Sequence, residues 1–413
     1  MRHHPVKGAR RCAVNCIVPP HILRRLLDNQ NEDIRRTALE TLLATTRLRA
    51  ERDVVAGLGF LPSLAGTRRR TIFDCRNGRN LFLATLVRSE SGSKSSDSGV
   101  NRAFDGLGQT FGFYKDVLKR NSIDGRGMRL DGYVHFSRSY NNAFWDGRRM
   151  IFGDGDGQIF GDFTGSLDVI AHELTHGVTQ FTANLEYHNQ SGALNESISD
   201  VFGSLVKQWT RNETAAAADW LIGAEIFSPA IKGDALRSLK EPGTAYNNNL
   251  IGSDPQPKHM DNFQQLPDSE DGDWGGVHIN SGIPNHAFFL TARFVGGNAW
   301  EAPGHIWYES LQASTETTDF QEFADTTFTV AGRRFGTNSA PQQAVRAAWE
   351  EVGIRIGTPS VAVESRVPAG DVDGQAALVA KLDSLAEQVK ALSTDLAQLK
   401  AGAYVGKAKA ANT

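Results

Sequence analysis

Two histidines four residues apart, His172 and His176 in the run HELTH, are the residues of this 413-residue chain best suited to do chemistry together. On a helix that spacing turns both imidazoles to one face, where they can share a divalent cation, with Glu173 one residue round and directed at the ion's open position. Five letters alone leave open the plainer reading of histidines satisfied inside a core. The next segment narrows the choice. ALNESISD places Glu196 twenty residues beyond His176 on a second amphipathic stretch, far enough for the chain to turn and return antiparallel. His172, His176 and Glu196 then make the two-histidine, one-carboxylate set of a catalytic Zn2+, with water in the fourth place. Asp200, one turn after Glu196, and Asn195 beside it are placed to accept from the second ring nitrogens of His172 and His176; the alternative makes both helix-surface polar residues.

Helices must carry that site, and the patterning supplies them. LDVIAHELTHGVTQFT and ALNESISDVFGSLVKQW repeat apolar residues at helical spacing, as do GIPNHAFFLTARFV, HIWYESLQAS, FQEFADTTFTVAGRRF and PQQAVRAAWEEVGI further on. Before them, from about Thr71, short runs such as RTIFD, NLFLATLV, DGYVHF and RMIFGDG, parted by Gly, Asn and Asp, predict strands, and Ser89 to Gly99 is a polar loop. A strand-rich α+β half followed by an all-helical half, with a cleft between them, is the expected architecture. Residues from Pro19 to about Arg52 predict helix as well. Past Gly357 a Pro/Val/Ser/Gly linker leads to Leu378, Leu382, Leu385, Val389, Leu392, Leu396 and Leu399, a heptad stripe on one helix that could join two copies of the chain or fold back on its own body.

Composition excludes other classes. With 40% hydrophobic and 22% charged residues the chain is an ordinary globular one, and no apolar run is long enough to span a bilayer. The first twenty residues lack the apolar stretch of a secretory signal. Three cysteines, Cys12, Cys16 and Cys75, cannot staple a chain of this length. Residues 1–70 hold 14 Lys/Arg against 6 Asp/Glu although the whole chain is at -3. This basic start could meet nucleic acid, but no aromatic or Gly-rich motif supports that, and the acidic body is the nearer partner.

YNNAFWDG, GDGDG, HELTH, SGALNESISD, LRS and GGVHINSGIPN together make residues 67–356 resemble the thermolysin family of metallopeptidases, and CIVPPHILRRLLDN resembles the short precursor segment of its protealysin-like branch. The resemblance implies a zincin fold of two lobes, here 67–187 and 188–357, after a propeptide at 1–60 and before a linker at 358–374 and a heptad helix at 375–401. It implies a zinc endopeptidase with Glu173 as general base, His278 and Tyr187 at the oxyanion and Asp273 orienting His278; Tyr187 is otherwise a buried aromatic. It places Asn142, Ala143 and Arg237 on the substrate backbone. Phe160, Phe163, Val169, Ile222 and Leu236 would line the pocket for the residue after the cut, which would then be bulky and apolar, though each is equally good core material.

The paired calcium site of long-chain members is broken. Asp168 and Asp219 remain, but Lys207, Leu221 and Ala224 stand at other ligand positions, too few oxygens for two ions. The expected partners are proteins or peptides, with neither nucleic acid nor membrane. Family resemblance implies export by a route other than Sec, with the cytoplasm as alternative. Residues 1–60 are expected to inhibit, their VPP run lying extended in the cleft and resisting cleavage because proline has no N–H. Cys16 is either a plain thiol or a thiolate ligand of the zinc. A non-catalytic shell working through its tail is the competing reading, and the intact set of ligands speaks against it.

Overall fold

The computed structural model describes residues 15–55, 67–229, 231 and 235–357. The linker and heptad helix lie outside them, as do Cys12 and residues 56–66.

A six-stranded mixed sheet organises the first half, in the order β1 (Asn15–Cys16), β5 (Ala143–Trp145), β6 (Met150–Phe152), β4 (Leu130–Val134), β2 (Arg70–Asp74), β3 (Thr85–Ser89). β2, β4 and β6 run parallel; β3, β5 and β1 pair antiparallel to their neighbours. The edge strand β1 therefore comes from the far N-terminal segment. Two expectations are adjusted here. NLFLATLV is not one strand, because the Asn80 side chain caps a short 3-10 turn at Leu81–Leu83 before β3 begins. And this half contains a long helix, α3 (Ser98–Asp116), started by the Asp97 side chain and disguised by its four glycines.

α4 (Leu167–Gln180) carries HELTH and is buried from Asp168 to Thr179. It has no polar face to offer water, so it sits in the centre with the sheet on one side and helices on the other. α5 (Asn189–Arg211) packs along it and ends at Asn212, whose left-handed φ of 54° closes the last turn. A Cβ on Gly203 would lie 2.7 Å from the Asp168 carbonyl oxygen, so glycine is what lets α5 approach α4 this closely. Past β7 (Leu221–Ile222) and β8 (Arg237–Ser238) come α6 (Asp273–Asn280), α7 (Gly282–Val295), α8 (Ala302–Ala313), α9 (Phe320–Phe335) and α10 (Ala340–Glu351). α9 opens with a reciprocal Asp319–Glu322 capping box. The architecture is α+β, with a sheet-containing first region and a helical second one.

The N-terminal segment is packed into this body. After β1 come α1 (Pro20–Leu27) and α2 (Glu32–Val55). Pro20 is the first residue of α1, where a missing N–H costs nothing, and Pro19 before it keeps an extended backbone at φ -62° and ψ 147°. Ile17, Val18, Ile22, Leu23, Leu26, Ile34 and Ala38 are buried in the main core. Docking of these described residues is mostly apolar, and their Arg24–Asp271 pair, 3.0 Å apart and solvent-exposed on its acidic side, adds little.

Candidate active site

α4 and α5 bring three donors together: His172 Nε2 lies 3.0 Å from His176 Nε2, and Glu196 is 3.6 Å from the first and 3.3 Å from the second. All three side chains are buried. The other ring nitrogens are tied to oxygens. His172 Nδ1 is 2.8 Å from Asp200 Oδ1, and His176 Nδ1 is 2.8 Å from Asn195 Oδ1, with Ser199 Oγ at 3.0 Å. Protons on both Nδ1 atoms leave lone pairs on both Nε2 atoms, aimed at one another and at a carboxylate whose Oε2 has no hydrogen-bond partner among the described residues. Such an array is repulsive unless a cation sits in it, and its donor types and spread of 4.8 Å fit one Zn2+. Burial, then the charge near His172, lowers His176 well below the ordinary imidazole range, which keeps it a ligand rather than a cation.

Asp200 anchors the next layer. Arg237 grips it with two bonds of 2.8 and 2.9 Å, and Asn285 Nδ2 donates to it at 2.9 Å. Burial alone would push the Asp200 carboxyl up, but Arg237 and His172 outweigh it and hold it well below the usual range. Asn285 was missed from the sequence, although it closes the same GGVHINSGIPN run that supplies His278.

Glu173 sits beside the donors without joining them. Its Oε2 accepts from the Trp145 N–H at 2.9 Å, while Oε1 is buried with no partner among the described residues. Burial, then the charge of Glu196, raises its carboxyl well above the usual range. On the other side, His278 Nδ1 is 2.6 Å from Asp273 Oδ1, and the His278 N–H donates to Asp273 Oδ2 at 2.8 Å. The backbone is strained to do this: Asp273 and Trp274 hold φ of 53° and 54°, followed by Gly275 and Gly276 at 82° and 78°. Burial lowers His278, yet Asp273 and Glu196 prevail and raise it to about 9. Tyr187 OH lies 3.1 Å from His278 Nε2 and also bonds Glu196 Oε1.

The cleft between these groups holds the chain's own residues 16–18. His278 Nε2 is 3.1 Å from the Cys16 carbonyl oxygen and Arg237 Nη1 donates to the Ile17 oxygen at 3.1 Å. Ile17 N–H donates to Ala143 O at 3.2 Å, and Val18 N–H to Asn142 Oδ1 at 3.0 Å. Phe160, Phe163, Val169, Ile222 and Leu236 are fully buried in the same apolar cluster as Ile17. Cys16 is not among the grouped metal donors, and its side chain joins a separate cluster with Phe136, Tyr140 and Phe144. Two expectations about this segment change. The prolines do not reach the reacting groups, because they open α1, and the thiol of Cys16 is outside the donor set, because pairing with Phe144 turns it to that residue's side of β5.

Lys207, on α5, stands between Asp168 and Asp219. Its ammonium is 2.8 Å from Asp168, 2.9 Å from Asp219 and donates to the Leu221 oxygen at 2.7 Å.

Comparison with known proteins follows the same outline. Residues 63–180 match the thermolysin metallopeptidase catalytic domain and 183–354 its alpha-helical domain. An extracellular metalloprotease of Pectobacterium carotovorum is 45% identical over 343 residues, covering 82% of this chain and 96% of that protein. Neutral protease NprE of Bacillus pumilus is 40% identical over 285 residues, 68% of this chain and 86% of its own. The solved precursor of protealysin, a metalloproteinase from Serratia proteamaculans, is 44% identical with a TM-score of 0.75, covering 82% of this chain and 99% of that one. The chain is a metalloendopeptidase and belongs to the thermolysin family, in its protealysin-like branch.

Proposed function

We propose that this is a zinc-dependent neutral endopeptidase made as a latent precursor. The observation that carries the zinc is the convergence of two Nε2 atoms and a carboxylate, all buried, with each Nδ1 2.8 Å from a side-chain oxygen. His172, His176 and Glu196 would hold the ion, which when bound lowers the pKa of its water and polarises a carbonyl. Glu173, held by the Trp145 amide, takes the water's proton through its free Oε1 and passes it to the leaving amine. His278, charged near neutral pH and fixed by Asp273, donates to the developing oxyanion together with the neutral Tyr187 hydroxyl. Each such donor contributes about 2.7 to 4 kcal/mol. Asn142, Ala143 and Arg237 align the substrate backbone, and the apolar pocket of Phe160, Phe163, Val169, Ile222 and Leu236 favours a bulky hydrophobic residue after the cut.

Residues 1–60 act as the prosegment, 67–187 and 188–357 as the two lobes. Latency is supported by the segment 15–18 lying where a substrate would lie. Lys207 takes the place of calcium. Export as an extracellular protease is supported by the name of the Pectobacterium relative; among the described residues no helix is long and apolar enough to cross a membrane. The test compares the full wild-type chain with Glu173→Ala. Wild type should shorten to a form that cleaves casein in a chelator-sensitive way, while the variant stays an intact, inactive precursor. A wild type fully active with Met1 attached would contradict latency, and a substantial rate in Glu173→Ala would contradict the mechanism.

A further inference from the structure

The prosegment lies in the cleft by the same backbone contacts assigned above to a substrate, and their register singles out one peptide bond. The carbonyl oxygen that meets His278 Nε2, at 3.1 Å, belongs to Cys16. The next residue, Ile17, gives its N–H to Ala143 O at 3.2 Å and its oxygen to Arg237 at 3.1 Å. Val18 follows onto Asn142. Oxyanion donor and downstream anchors thus bracket the bond between Cys16 and Ile17, and the chain runs antiparallel to β5, whose Trp145 amide holds the general base Glu173. Ile17, a β-branched apolar residue with no exposed surface, is the residue after that bond.

Proline cannot protect this bond. Pro19 and Pro20 lie beyond Val18, and the nitrogen that would have to leave, that of Ile17, carries an ordinary N–H.

We propose that the precursor hydrolyses its own Cys16–Ile17 bond in its own cleft, before the cut that removes the rest of the prosegment; this rests on the roles given above to Glu173, His278 and Arg237. Water adds to the Cys16 carbonyl carbon, Glu173 carries the water's proton to the Ile17 nitrogen, and the C–N bond breaks, leaving a carboxylate on Cys16 and an amine on Ile17. No other reactant is needed. β1 is then severed from α1, so the clamp on β5 loosens while Ile22, Leu23 and Leu26 still hold the helices in the core. Residues 1–16 leave first, and the remaining segment becomes the weaker inhibitor that a second enzyme molecule can remove.

The test uses the full chain purified with chelator and then given Zn2+, followed by intact mass and N-terminal sequencing over a hundred-fold range of concentration. A chain beginning at Ile17 should appear at a rate independent of dilution, and Glu173→Gln should slow its appearance by about a thousand-fold. In parallel, mature enzyme is given the synthetic peptide CAVNCIVPPHI, which needs no folding, and casein. The peptide should be cut between its second Cys and Ile. Casein cleaved while neither chain nor peptide yields an Ile17 terminus overturns the proposal and leaves the peptidase assignment standing. An Ile17 terminus whose rate rises with concentration overturns the step within one molecule. Casein left intact as well would sink both.

Discussion

α4 and α5 hold two buried charge clusters along their shared interface, and the clusters handle charge in opposite ways. At one, His172, His176 and Glu196 present lone pairs and a carboxylate with no proton between them. At the other, buried Asp168 faces Lys207, whose ammonium is 2.8 Å away, while the exposed Asp219 lies 2.9 Å from the same ammonium. The first is an electrostatic debt that only an outside cation cancels; at the second the chain supplies the cation that faces its buried carboxylate. The same helix pair can therefore be metal-dependent for chemistry and metal-independent for stability. Which behaviour appears depends on whether a basic side chain reaches the carboxylates.

The Lys207 cluster is where that contrast breaks most visibly. Lys207→Ala strands Asp168, which is wholly buried, and should cost about 3 to 5 kcal/mol in denaturant unfolding. Added calcium should recover part of that loss, yet leave the midpoint of the wild type unchanged, because an ion that finds no site adds no stability. A wild type whose midpoint climbs markedly with calcium would remove the contrast altogether.

A third charge-bearing group, half-buried, sharpens it, this time through pH. His21 of the prosegment lies 2.9 Å from Tyr246 OH, with its Nδ1 buried and lacking a partner among the described residues. Burial lowers it to about 4, assisted by His278, Arg237 and Arg24 and opposed by Asp273. Because the docked pKa is depressed, docking is at full strength above about pH 6.5 and weakens as the pH falls from there towards 4. At pH 5 the loss should be about thirty-fold. Hydrogen exchange of α1 amides in the full-length Glu173→Ala chain, corrected for intrinsic rates, should show this opening, and His21→Asn should flatten it. Equal protection at pH 5 and pH 7 in the parent chain would rule out His21 as the cause.

What the sequence could reveal follows from how local each feature is. The convergence of His172, His176 and Glu196 was legible because helical periodicity fixes two of them and one tight return fixes the third. The helical half was legible for the same reason, α9 to the residue. α3 was not, since Gly99, Gly106, Gly108 and Gly112 mask its apolar spacing, though Asp97 was a cap signal. Asn285 on Asp200 and Tyr246 on His21 depend on contacts 85 and 225 residues apart, which no local pattern encodes. The prosegment was read as extended through its prolines; Pro19 is extended, but Pro20 opens α1, and the sequence carried that signal too, because proline is as much a helix starter as a strand former's neighbour. Its hold on the body was assigned to charge, while the described part of it docks through buried Ile17, Ile22 and Leu26.

Metal content measures the central claim most directly. Wild type, Glu173→Ala and Glu196→Ala are purified side by side, dialysed against the same trace of Zn2+ and analysed for bound metal. The account predicts one zinc per chain in the wild type and in Glu173→Ala, because Glu173 stands beside the ligands without being one, and a large loss in Glu196→Ala. Full zinc in Glu196→Ala, or its loss in Glu173→Ala, would contradict it.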